Sequence, residues 1–196
     1  MKTVSLSDVT PYRYFRETGP VNTKAVLEAV SLRAKERAIG KVIVATCSGK
    51  TALEALEVLD PAIKIIAVTH ATGLRKPNFQ ELSDEARHEI ESRGGIVLTC
   101  QHAFSGVGRG IKNKLATSQV DEIIACTLRI FGQGTKVAVE ICLMAADAGL
   151  VRTDEEVIAM GGTGKGADTA LLLQPANSFN FFDLKVKELL CKPALI

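Results

Sequence analysis

The sequence lacks any apolar run approaching the ~20 residues that a helix needs to cross a bilayer, so no membrane partner is expected. Its start, MKTVSLSDVTPYRYFRETG, is polar and has no apolar middle of the kind a secretory leader carries. Cysteine is sparse: Cys47, Cys100, Cys126, Cys142 and Cys191 are odd in number and form no C-x-x-C. That pattern argues against a disulfide framework and for a reduced, cytoplasmic setting. The histidines show no ligand spacing with those cysteines, so no metal site is expected. An excess of one charge is also missing, because 24 Lys and Arg face 22 Asp and Glu. A formal net charge of +2 excludes a dedicated nucleic-acid surface. Internal repeats, charge blocks, low-complexity segments and long linkers are absent as well.

What is present fits one domain spanning 1–196. With 46% hydrophobic and 23% charged residues the chain can build a packed core. Residues 21–39 read as an amphipathic helix with Ala25, Val26, Ala29, Val30 and Leu32 on one side, stopped by Gly40. Strand-like runs follow at Val42–Ala45, Ile63–Val68, Ile96–Leu98, Ile123–Cys126 and Val157–Met160. Helices are expected near 50–59, 83–93, 107–116 and 133–149, and TALLLQP reads as an edge strand. This alternation predicts a three-layer α/β/α fold with a mostly parallel central sheet.

In such a sheet, ligands sit beyond the carboxyl ends of the strands. The run Thr46-Cys47-Ser48-Gly49-Lys50-Thr51 passes from a strand straight into a helix, whose N-terminal N–H groups and dipole suit an anion. It is not a nucleoside-triphosphate loop, because Val44 stands where that motif needs glycine. A serine cap is the ordinary alternative. Gly161-Gly162-Thr163-Gly164-Lys165-Gly166-Ala167-Asp168 leads into an apolar strand, not a helix. It reads as a flexible turn whose N–H groups and Lys165 are available to an anion, or as a plain glycine turn. Arg129 can fork onto a phosphate or stand in solvent. Residues 70–82, HATGLRKPNFQEL, are long for a connection, and Phe79 can cover a planar ring or pack inward. His70 and His102 follow strand-like runs and are candidates for ligand contact; His88 lies in a charged helix. Cys47, beside Lys50 at a helix N-terminus, is placed to favour a thiolate, but no base or orienting partner is local to it. FNFFDLKVKELL either docks a second copy or covers the core.

Taken in order, AVLEAVSLRAKERAIGKVIVATCSGKTALEAL, IIAVTH, TLRIFGQGTKVAVEICLMAADAGLV and EVIAMGGTGKGADTALLLQP resemble the C-terminal α/β domain of pyruvate kinase over about residues 21–178. In that family the domain holds a sugar-bisphosphate effector. The resemblance implies one phosphate on Thr46–Thr51, a second on Arg129, and Gly161–Asp168 closing over the ligand. The chain departs from the family in having no Trp, in carrying an insertion at 71–82, and in showing no catalytic barrel. Pyruvate kinase activity is therefore not expected. Resemblance to stand-alone domains of this type implies FMN as ligand, and the subunit contacts that the related domain makes in pyruvate kinase imply a homo-oligomer. The FMN phosphate would lie on Thr46–Thr51, and the ring under the insertion that carries Thr72, Gly73 and Phe79. The alternatives are a flavin-dependent oxidoreductase, a sugar-phosphate-sensing regulatory module, and a hydrolase or transferase using Cys47.

Overall fold

A computed structural model describes residues 12–194. Seven strands form one sheet in the order β1-β7-β6-β5-β2-β3-β4: β1 Arg13–Phe15, β2 Lys41–Ala45, β3 Lys64–Val68, β4 Ile96–Leu98, β5 Val157–Gly161, β6 Thr169–Gln174 and β7 Lys185–Pro193. Four neighbouring pairs are parallel, and β6 runs antiparallel to both β5 and β7. Helices α1 (Thr23–Glu36), α2 (Lys50–Val58), α3 (Asp84–Ser92), α4 (Gly106–Leu115), α5 (Val120–Arg129) and α6 (Gln133–Asp147) connect and cover the strands. The mostly parallel α/β fold expected from alternation is what the chain forms.

The strands of the middle are apolar between their ends because both faces are covered. Along β2, Val42 and Val44 pack with Val26 and Val30 of α1, whereas Ile43 points the other way into the cluster around α6. Leu27 lies inside with Val26 and Val30, while Leu32, expected on the inner side, is exposed.

Two expectations need correction. Ile123–Cys126 is not a strand but the middle of helix α5. A four-residue apolar run fits either element. Here Ala125 is buried and Ile124 and Leu128 pack against the core, which is helical spacing, and Asp121 and Arg129 suit the two ends of the helix dipole. TALLLQP is not an edge: β6 is paired on both sides, by β5 and by β7. The edges are β1 and β4, and β1 and β7 were not placed from the sequence.

The segment FNFFDLKVKELL covers the core, as one of its two readings had it. Phe181 stands edge-on to Phe104, 5.8 Å between ring centroids, and helps close the core. Phe179 and Phe182, in a 3-10 turn over Ser178–Asp183, are 98% and 92% exposed. The strand order reverses beside β2, which has β3 on one side and β5 on the other. Such a reversal opens a crevice at the carboxyl ends of the strands.

Candidate functional site

A cleft of about 1190 Å³ occupies that crevice. Its walls include Thr46, Cys47, Ser48, Lys50 and Thr51 after β2, His70 after β3, and Gly162, Gly164, Lys165 and Gly166 after β5. Two loops more than a hundred residues apart thus face one space.

The first loop turns on Gly49, whose φ of +90° is a left-handed conformation. A Cβ there would also lie 3.0 Å from Leu82. Gly49 N–H donates to the Thr46 hydroxyl at 3.0 Å, so Thr46 braces the turn. No side chain caps α2, which leaves its first N–H groups pointing toward the cleft end of the helix. Ser48 and Lys50 are exposed, and Thr51 is buried.

The glycine-rich loop is held more firmly than a flexible turn. Asp168 is fully buried and accepts hydrogen bonds from Gly19 N–H (2.8 Å), Thr163 N–H (3.1 Å) and the Thr169 hydroxyl (2.8 Å). Ala167, also buried, donates its N–H to the Thr23 hydroxyl at 3.0 Å. Asp168 and Ala167 therefore organise the loop and do not line the cleft. Gly161 is a packing position, because a Cβ on it would fall 2.2 Å from the Gly134 carbonyl of α6. Lys165 is exposed and has no ion-pair partner among the described residues.

Arg129 reaches the cleft through a neighbour. It ends α5, and its Nε donates to Gln133 Oε1 at 2.8 Å; Gln133 lines the cleft and Arg129 does not. Thr72 and Gly73 likewise shape the insertion instead of facing the cleft. The Thr72 hydroxyl accepts from Gln80, and Gly73 N–H donates to the Phe79 carbonyl. From this insertion Arg75, Phe79 and Glu81 reach the cleft, with Phe79 47% exposed.

Sequence reasoning named Cys47, His70 and His102 but missed their partners Glu81, Glu140 and Lys136. His70 Nδ1 meets Glu81 Oε2 at 2.5 Å, and Glu81 Oε1 accepts from Arg75 Nε at 2.8 Å. Cys47 Sγ lies 3.4 Å from His70 Nδ1 and 3.3 Å from Nε2. The hydrogen bond with Cys47 is the largest influence on His70; together with Glu81 it raises the imidazole above its ordinary value, although burial opposes it. His102 Nε2 accepts from Ala71 N–H at 3.2 Å, and its Nδ1 is 3.6 Å from Glu140 Oε2. Glu140 and Lys136 form a buried pair on α6. Burial pushes the Glu140 carboxyl up, but His102 and the Lys136 ammonium outweigh it and hold the group at about 2. Two charges at i and i+4 inside the apolar run TKVAVEICLM were the available signal for this pair. Nothing in the sequence marks Glu81.

The architecture is that of a doubly wound α/β domain, with its crevice at the strand-order reversal. The chain belongs to the family described as pyruvate kinase, alpha/beta domain, whose model matches residues 24–173. Among solved structures it is similar to a pyruvate kinase from Cryptosporidium parvum, with 15% sequence identity and a TM-score of 0.42. That match covers 79% of this chain and 23% of the pyruvate kinase, so the chain spans under a quarter of that protein's length. No helix among the described residues is long and apolar enough to cross a membrane.

Proposed function

We propose that this domain binds a phosphorylated small molecule, FMN being the best fit, in the cleft between Thr46–Thr51 and Gly162–Gly166. The observation that carries this reading is the meeting of an uncapped helix N-terminus and an unpaired Lys165 across one crevice. Lys24 and Lys50 stand on the same walls, Lys50 3.8 Å from Glu54, and the carboxylates Glu54, Glu57, Glu81 and Glu140 come from α2, the insertion and α6. A phosphate is favoured at the lysine-bearing loops by charge and by free N–H donors. Phe79 overhangs the cleft and offers a face on which an isoalloxazine ring can stack. A volume of about 1190 Å³ accommodates a mononucleotide. The reading assigns no pyruvate kinase activity to these residues.

The test is a flavin spectrum of the purified protein, followed by FMN titration read by fluorescence quenching. Ser48→Ala and Thr51→Ala are each expected to weaken FMN binding by about tenfold or more, as loss of a hydrogen bond to a charged group does. Unchanged affinity in both variants would remove the phosphate from this loop. A protein that ignores FMN but binds a sugar bisphosphate with the same dependence would keep the loop and change the ligand.

We also infer that a second copy covers the surface carrying Phe179 and Phe182, whose rings stand almost wholly in solvent. Light scattering is expected to give a multiple of 21.0 kDa for the native chain and a shift toward that mass for Phe179→Ala/Phe182→Ala. A monomeric native chain overturns this.

A further inference from the structure

We propose that Cys47, His70 and Glu81 form a binding site for a borderline-soft divalent cation, Zn²⁺ by preference, in the wall of the cleft. The three side chains come from separate segments: the loop after β2, the residue after β3, and the far end of the 71–82 insertion. Their ligand-type atoms nevertheless all lie within 4.8 Å of one another.

The sulfur–nitrogen distance, the charge and the surroundings agree with this. Zinc–sulfur and zinc–nitrogen bonds of about 2.3 and 2.0–2.1 Å in a tetrahedral site put sulfur and nitrogen roughly 3.5 Å apart. Cys47 Sγ is 3.4 Å from His70 Nδ1. Glu81 Oε2 meets that same nitrogen at 2.5 Å, a hydrogen-bond length that opens to roughly 3.3 Å when both atoms bind one tetrahedral zinc. A cation there takes the place of the proton that now links imidazole and carboxylate. Thiolate, neutral imidazole and carboxylate together carry two negative charges, which a dication neutralises. The thiolate and imidazole favour zinc over the hard cations magnesium and calcium.

The outer partners are also in place. Arg75 Nε holds the second carboxylate oxygen at 2.8 Å, fixing the direction of Oε2. The thiol, imidazole and carboxyl residues all line the cleft, so a fourth position would open toward it. Three protein ligands with one open position is the arrangement of reactive zinc sites, in contrast to closed structural ones. His102 is not a fourth ligand here, because its Nε2 already accepts from the Ala71 N–H and its Nδ1 faces Glu140.

A cysteine–histidine–glutamate relay for nucleophilic attack is the competing use of these groups. Sγ is nearly equidistant from the two ring nitrogens, at 3.4 and 3.3 Å, so neither is singled out as the base that would take its proton.

The experiment is titration of the chelator-treated full chain with Co²⁺, a spectroscopic substitute for Zn²⁺, followed by Zn²⁺ displacement. The expected result is one equivalent per chain with a sulfur-to-cobalt charge-transfer band that Zn²⁺ abolishes. Cys47→Ser should lose that band, and His70→Ala and Glu81→Gln should each weaken binding by at least about tenfold. Cys126→Ser, which removes an exposed thiol, should leave the band unchanged. Zn²⁺ should also raise the melting temperature of the native chain and not that of Glu81→Gln. This second readout stays decisive if Cys47→Ser does not fold. Absence of the band, or a band that survives Cys47→Ser and disappears in Cys126→Ser, overturns the proposal. None of these readouts depends on FMN or phosphate binding.

Discussion

Lys136→Met is expected to destabilise the domain by about 3–5 kcal/mol, the range found when one partner of a buried ion pair is removed. Lys136 is 6% exposed and Glu140 3%, and Nζ and Oε2 are in direct contact. Without the ammonium, the Glu140 carboxylate keeps only the Phe104 N–H at 3.1 Å and the nearby His102. The cost is that of the stranded charge, so Lys136→Met/Glu140→Gln should recover much of it while leaving Phe104 an acceptor. Urea unfolding of both variants checks this, and a double variant as unstable as the single one would refute the account.

The same pair sets an acid dependence. Glu140 titrates at about 2 when folded against an ordinary 4.5. A depressed carboxyl contributes stability that is fully present above its unfolded value and is lost as pH falls through the folded one. The native chain should therefore lose about 3 kcal/mol as pH drops from above 5 toward 2 through this group, on the usual conversion of pKa shifts. The double variant should show a flatter profile. Lys136 and Glu140 also support the cleft floor through His102 and Phe104, so their loss should reach ligand affinity as well as stability.

The parts of this molecule that could be read from its sequence are those where neighbours in the chain determine the outcome. After Lys41, β2 is apolar at every position because α1 and α6 cover its opposite faces, and that is visible in a single run. The two glycine-bearing loops were equally legible, since each is contiguous and each follows a strand. Ile123–Cys126 was ambiguous because four apolar residues satisfy both periodicities, and only packing against α6 decides for helix. The internal place of β6 depends on β7, whose KVKELLCKP carries polar residues on its exposed stretch and shows no clean strand signal. Cys47, His70 and Glu81 lie 23 and 11 residues apart, so no spacing rule unites them; the carboxyl ends of β2 and β3 do, with the folded-back insertion. Arg129 looked like a ligand residue because of its position before a helix. Its side chain is spent on Gln133, and the cleft is reached one step later.

Asp168→Ala is expected to cost about 3–5 kcal/mol and to abolish tight FMN binding, although Asp168 touches no part of the cleft. The residue is fully buried, and its two oxygens satisfy Gly19 N–H, Thr163 N–H and the Thr169 hydroxyl. Alanine would leave two backbone donors without partners, each costing about 1–3 kcal/mol where water cannot reach. It would also uncouple the glycine-rich loop from Gly19–Thr23. The packing there is tight: a Cβ on Gly166, at φ +67°, would lie 2.6 Å from both Pro20 and Thr23. Lys165 and the loop N–H groups are aimed across the cleft only while that clasp holds. Asp168→Asn should fall between, because an amide offers one acceptor oxygen where the carboxylate uses two. Paired thermal melts and FMN titrations separate this from direct contact: Ser48→Ala should lose affinity at unchanged stability, whereas Asp168→Ala should lose both together. If Asp168→Ala melts like the native chain and still binds FMN, the loop is not held by its carboxylate and the two-loop reading of the cleft loses its rigid half.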